Sequence, residues 1–179
     1  MTAPPSWIQA ALTLLVLVAA VIDVRTRRIP NWLSGAGIVA GFGLQGALRG
    51  WSGLGEAAMG AGLAFLVYFL LFALRAMGGG DVKLMMAVGA LAGVSNWFTI
   101  FILASISGGI IALILIGFHG TLRPTAANIG FLLRQLVRFH VPYRANPVLD
   151  VSHPKAVTLP HGLSIAVGTI LFLVLANAS

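Results

Sequence analysis

Long apolar runs separated by short polar connections fill most of the chain. The runs are Trp7 to Ile22, Leu33 to Leu48, Ala57 to Met77, Asp81 to Val94, Trp97 to Phe118 and Leu159 to Ala176. Several are shorter than the roughly 20 residues that cross a hydrocarbon core, but charged connections keep them apart. The pattern predicts an all-α, polytopic membrane protein with six transmembrane helices. Tryptophans near the ends of these runs are expected to be interfacial anchors: Trp7, Trp32, Trp51 and Trp97.

The composition excludes a soluble domain, because 59% of the 179 residues are hydrophobic and only 8% are charged. The alternating strands of about ten residues that mark a membrane barrel are not visible. We therefore expect one integral membrane domain over residues 1–179. The absence of cysteine excludes disulfides, thiolate zinc sites and a cysteine nucleophile.

The cationic residues lie almost entirely in alternate connections. Of the 11 lysines and arginines, only Arg49 falls on the other side. The rest are Arg25, Arg27, Arg28, Arg75, Lys83, Arg123, Arg134, Arg138, Arg144 and Lys155. The positive-inside rule then predicts that both termini lie outside the cytoplasm. Membrane orientation also explains the net charge of +7, so we expect no nucleic-acid partner.

The connection 119–158 is rich in proline and polar residues and is expected to lie in the cytoplasm. Apolar residues recur in it at helical spacing: Ile129, Leu132, Leu133, Leu136 and Val137. Because Arg134 and Arg138 are one turn apart, this stretch indicates an interfacial amphipathic helix at anionic headgroups. A cytoplasmic loop with some helix is the alternative.

Asp23 and Asp81 both fall at the predicted cytoplasmic face. An ionisable residue at membrane depth indicates function, and an aspartic protease needs two carboxyls that share one proton. The run from Asp81 to Val94 is about 21 Å long as a helix, which places Asp81 below the surface in a water-filled recess. Alternatively, Asp23 pairs with Arg25 or Arg27, and the glycines before Asp81 form a plain turn.

Three glycines precede Asp81, which permits unusual backbone angles or the close approach of another segment. The sequence Gly78-Gly79-Gly80-Asp81 fits the GxGD signature of membrane aspartyl proteases. With Lys83 and Met85 it resembles the type IV prepilin peptidases. Two other segments are similar to parts of that family: the region from Asp23 to Asn31, and Leu159-Pro160-His161-Gly162 at the last helix.

This resemblance implies that Asp23 and Asp81 are catalytic and that Gly78, Gly80 and Lys83 support them. One aspartate would activate water while its protonated partner activates the scissile carbonyl, without a metal or another cofactor. The helix N-terminus and Lys83 favour Asp81 as the ionised partner and Asp23 as the proton carrier. Arg25 and Arg27 would favour ionised Asp23 in the same way, so the opposite assignment stays open.

Within that family the chain resembles the short form associated with tight-adherence (Flp) pili. It has no cysteine-bearing insertion after the first helix, so the resemblance implies a peptidase without N-methyltransferase activity. The resemblance implies that the substrate is a prepilin, whose leader is removed at the cytoplasmic face of the bacterial inner membrane, just before the pilin's hydrophobic N-terminal helix. The lipid bilayer is the other expected partner, and the oligomeric state stays open.

Two other classes of function stay open from the sequence alone. Intramembrane acids and glycine-broken helices also build small proton-coupled transporters. A non-catalytic membrane subunit of a pilus or secretion machine is the third class, in which both aspartates would be replaceable. Neither the histidines nor Ser164 shows a catalytic or metal-binding spacing, and Glu56 lies at the outer face, away from both aspartates.

Overall fold

The computed structural model describes residues 3–74, 77–119 and 161–178, and the regular structure in these ranges is helical. The helices are α1 (Ser6–Thr26), α2 (Asn31–Ala73), α3 (Gly79–His119) and α4 (His161–Ala178). All four are long and apolar enough to cross a membrane. Apart from its first residue, the predicted connection 119–158, with its amphipathic helix, lies outside the described residues.

Helices α2 and α3 each contain one glycine with non-helical backbone angles. Gly50 has φ 60° and ψ −137°, and Gly93 has φ 76° and ψ 169°. Glycine adopts a positive φ without the steric cost that a side chain brings, so each residue permits an abrupt change of direction. The six separate helices of the prediction are therefore not confirmed, since the described residues form four helices of which two are interrupted.

The chain reverses direction at Gly50. Gly41 packs against Ala90 and Leu91 of α3, and Gly60 packs against Gly89 in the same turn of that helix. A straight helix would hold Gly41 and Gly60 about 28 Å apart. The segments 31–49 and 51–73 of α2 must therefore lie side by side against α3.

Helix α3 reverses at Gly93 in the same way. Asp81, before the break, interacts electrostatically with His161, and Gly108, after it, faces Ser164 one turn further along α4. A straight helix would hold Asp81 and Gly108 about 40 Å apart. The segments 79–92 and 94–119 of α3 are thus brought to the same end of α4.

The segment 79–92 is the centre of the bundle. Apart from the exposed Lys83, most of its side chains are buried, and they lie on all sides of the helix, as is typical of a helix that is apolar all round. The buried residues include Val82, Leu84, Met85, Ala87, Val88 and Leu91. Asp81 stands at the start of this segment, so its carboxyl is carried into the interior of the protein.

Trp97 corrects one prediction from the sequence. It is fully buried and stacks on Phe101 at a ring separation of 5.5 Å. Trp7, Trp32 and Trp51 are instead largely exposed, as interfacial anchors are. Proximity to the end of an apolar run therefore did not distinguish an anchor from a core residue.

Two polar side chains secure the break at Gly93. The Gln45 side-chain amide donates a hydrogen bond to the Leu91 carbonyl at 2.8 Å, and Glu56 Oε2 accepts one from the Val94 N–H at 3.4 Å. An interrupted helix leaves such backbone groups without their internal partners. Because Gln45 and Glu56 flank the break at Gly50, these bonds tie the two reversals together at the end of the bundle opposite Asp81.

Substitution of Gly60 tests the packing of α2 on α3. A Cβ atom at Gly60 would contact the backbone of Gly89, whereas a Cβ atom at Gly62 would meet nothing within 4 Å. We expect Gly60→Ala to lower the free energy of unfolding by about 1–3 kcal/mol through overpacking. The control Gly62→Ala should be neutral or slightly stabilising, because alanine favours helix. Equal melting temperatures of the two variants in detergent would contradict this packing.

Candidate active site

Asp23 lies in the last turn of α1 and is buried, with 6% of its surface exposed. Its Oδ2 accepts a hydrogen bond of 2.8 Å from the N–H of Gly162, the second residue of α4. The first N–H groups of a helix have no partner within the helix, and they favour negative charge. The Asp23 carboxyl therefore caps α4 from a different helix and joins α1 to α4.

Asp81 lies in the first turn of α3 and is also buried, with 8% exposed. Its Oδ2 accepts a hydrogen bond of 3.1 Å from the Gly78 N–H, and its own N–H donates to the Gly78 carbonyl at 3.2 Å. An acidic side chain that reaches back to the residue before the helix forms half of a capping box. The spacing of Gly78 and Asp81 thus orients this carboxyl at the N-terminus of α3.

The bundle brings the two carboxyls into one interior site. Asp81 interacts electrostatically with both Asp23 and His161, and Tyr68 of α2 also interacts with Asp81. Each of the four helices therefore contributes a residue. Coulomb interactions are strong at short range in a poorly solvated interior, so these groups form one electrostatic unit.

Gly80 explains how the connection between α1 and α2 packs on α3 at this site. A Cβ atom there would lie 3.2 Å from Ile29 Cβ, in the connection between α1 and α2. Among the described glycines, positive φ values occur at Gly50 and Gly93 and not in the run before Asp81. Close approach rather than unusual backbone angles therefore accounts for glycine at this position.

Lys83 is exposed and lies on the outer side of this junction. Its Nζ donates a hydrogen bond of 2.9 Å to Asn31 Oδ1. This bond joins the second turn of α3 to the first residue of α2, so Lys83 helps to place the helix that carries Asp81. The described hydrogen bond of Lys83 is thus to Asn31, whereas the resemblance implied that Lys83 supports Asp81.

The sequence did not single out three members of the site: Tyr68, His161 and Gly162. For His161 and Gly162, the signal in the sequence was the resemblance of Leu159-Pro160-His161-Gly162 to the last helix of the family. That resemblance gave neither residue a role. Tyr68 is a buried residue within an apolar run, where nothing in the sequence distinguishes it from core. Its place beside Asp81 depends on the reversal at Gly50.

A family model described as the type IV leader peptidase family matches residues 10–113. This chain belongs to that family. The resemblance to type IV prepilin peptidases is thereby confirmed at the level of the family, and membership implies a peptidase. Searches of curated proteins and of solved structures found no match.

The matched residues of this leader-peptidase-family protein include Asp23 and Asp81, but the match ends before α4. His161 and Gly162 therefore join the candidate site on geometry alone. The family assignment also agrees with the four apolar helices, which indicate a membrane protein.

Substitution of Gly162 tests the role of α4 in this site. A Cβ atom there would lie 2.9 Å from Asp23 Cβ and 3.0 Å from Oδ2, so the carboxyl would have to move. We expect Gly162→Ala to slow cleavage of a leader peptide by at least about tenfold, or ~1.4 kcal/mol in the barrier. Gly78→Ala should cause a smaller loss, since its Cβ would lie 3.5 Å from Asp81 Oδ2, an ordinary contact. Equal rates, at equal amounts of protein in the membrane, would refute a positioning role for Gly162.

Proposed function

We propose that this protein is an aspartic endopeptidase that removes the leader peptide of Flp-type type IV prepilins, with Asp23 and Asp81 as the catalytic pair. One observation carries the proposal. Two buried carboxyls on different helices interact electrostatically, and a backbone N–H orients Oδ2 of each. Aspartic proteolysis requires two carboxyls that influence each other's ionisation, and this arrangement supports it.

In the proposed reaction, the ionised aspartate takes a proton from a water molecule whose oxygen attacks the scissile carbonyl carbon. The protonated aspartate donates a hydrogen bond to the carbonyl oxygen and stabilises the charge that develops there. Proton transfer to the amide nitrogen of the tetrahedral intermediate then allows the C–N bond to break. The products are the leader with a new carboxyl terminus and the pilin with a new amino terminus.

The proposed membrane arrangement places this site at the cytoplasmic face of the bacterial inner membrane. The exposed Arg25, Arg27 and Arg28 follow Asp23, and Arg49 lies beside the reversal at Gly50. Positive charge concentrated at the Asp23 end supports a cytoplasmic orientation. In this arrangement the six helical segments of one domain, residues 1–179, cross the membrane.

The proposed site also lies in a recess below the membrane surface. The segment 79–92 is about 21 Å long, which is less than a hydrocarbon core of about 30 Å. If Gly93 is near the opposite interface, Asp81 lies several ångströms below the cytoplasmic surface. Water for the reaction would then reach the carboxyls through a protein-lined opening.

Substitution of the two aspartates tests the proposed function. We expect Asp23→Asn and Asp81→Asn each to reduce processing of a co-expressed Flp-type prepilin by at least about a thousandfold, because asparagine accepts a hydrogen bond but transfers no proton. The shortened pilin is followed by immunoblot, and the amount of each variant in the membrane is measured in parallel.

Glu56→Gln is the matched control, since Glu56 lies at the other end of the bundle and glutamine keeps an acceptor for the Val94 N–H. It should process the prepilin at the wild-type rate. Cleavage retained by either aspartate variant would exclude the catalytic pair. Failure of the wild-type chain to produce a shortened pilin would favour the transporter or the non-catalytic subunit.

We also expect the processed pilin to leave this enzyme with an unmethylated amino terminus. The described connection between α1 and α2 consists of residues 27–30, and the sequence contains no cysteine. This connection therefore has no counterpart of the cysteine-bearing insertion that is associated with methyl transfer. Mass spectrometry of the product, made with a methyl donor present, checks this expectation, and a methylated product that depends on this chain would contradict it.

A further inference from the structure

A cavity of about 290 Å³ lies beside the aspartate pair, between the segments 51–73 and 94–119 and the first turns of α4. Tyr68 and His161 line it, and both interact electrostatically with Asp81. The N–H of Gly162, the residue after His161, donates a hydrogen bond to Asp23 Oδ2. The cavity therefore adjoins the candidate active site through Tyr68 and His161.

The wall that α3 contributes runs from Phe101 to Ala112, about 16 Å along the helix. Gly108 and Gly109 lie in this wall, and a Cβ atom at Gly109 would meet nothing within 4 Å. Small residues let another helix approach closely within a membrane. The free space beside Gly109 is thus available to a side chain from outside the described bundle.

Ser164 supplies a polar group that the described bundle does not use. It is buried, with 4% exposed, it lines the cavity, and its Oγ has no hydrogen-bond partner among the described residues. Ser105 and Ser107 differ, because their hydroxyls donate to the carbonyls of Phe101 and Leu103 in their own helix. A buried hydroxyl without a hydrogen-bond partner is unfavourable, so Ser164 favours an occupant with polar main-chain groups. A lipid acyl chain has none.

We propose that this cavity binds the apolar helix that follows the scissile bond of the substrate, and that the Ser164 hydroxyl pairs with a substrate main-chain group. The cavity volume suits a few side chains of one helix rather than a folded domain. The substrate residues next to the aspartates must unwind from the helix before they are cleaved. Their main-chain groups then lose their helical hydrogen bonds and are free to pair with Ser164. This inference rests on the proposed function, since it names the binding site that serves the same two aspartates.

Gly109 and Gly117 form a matched pair for the test. Both are exposed residues of α3 whose Cβ atoms would meet nothing within 4 Å, but only Gly109 lines the cavity. We expect Gly109→Leu to reduce processing of the prepilin at least about tenfold, with the loss mainly in KM. Gly117→Leu should stay within about twofold of wild type.

Ser164→Ala and Ser107→Ala test the polar contact separately. We expect Ser164→Ala to raise KM by about three- to tenfold, the usual range for loss of one neutral hydrogen bond. Ser107→Ala removes a hydroxyl that its own helix already satisfies, so it should leave KM unchanged. Equal KM values for the two variants would overturn the role of Ser164.

Photocrosslinking detects binding without cleavage. A benzophenone amino acid replaces Gly109 or Gly117 in the Asp81→Asn background, and the prepilin is supplied in membranes. We expect an adduct with the prepilin from position 109 and none from position 117. The proposed binding site would be overturned if Gly109→Leu keeps full activity and position 109 forms adducts only with lipid. If the wild-type enzyme still cleaves the prepilin, the proposed function stays intact. A wild-type chain that does not cleave would overturn both.

Discussion

The close backbone contact between Gly60 and Gly89 is the constraint on which the rest of the bundle depends. It holds the segment 51–73 against the segment 79–92, and the contact of Gly41 with Ala90 does the same for 31–49. No hydrophobic driving force draws apolar helices together in lipid, so close packing has to hold them. With α3 enclosed in this way, Asp81 at its start is carried into the interior instead of facing lipid or open water.

A second constraint is that a buried carboxyl in a membrane needs partners, and helix N-termini provide them. Asp81 uses the N-terminus of its own helix, whereas Asp23 uses that of α4. The sequence suggested that a helix N-terminus distinguishes Asp81 as the ionised partner. Since both carboxyls occupy such a position, this feature does not distinguish one from the other.

The sequence predicted those features that depend on local chemistry. Asp23 and Asp81 stood out because charge is rare in this chain, and breaks near Gly50 and Gly93 followed from interruptions in apolar runs. It could not predict that Trp97 is buried or that Gly162 meets Asp23, since both depend on which helix faces which after the chain reverses. Tertiary packing decides such contacts, and apolar runs give little information about it because they have no polar face.

The two ends of the bundle use polar groups for different purposes. Around the reversals, Gln45 and Glu56 bond to backbone groups of α3 and line a small cavity of about 110 Å³, which has room for roughly three water molecules. At the other end, the acids adjoin a larger, mainly apolar cavity in which Ser164 is unsatisfied. Water can complete the polar contacts of the first cavity, but an apolar wall with one buried hydroxyl suits a peptide helix better. Glu56 accepts a hydrogen bond from the backbone at the reversal of α3, which explains why this carboxylate, in a chain with so few, is not part of the proposed catalytic pair.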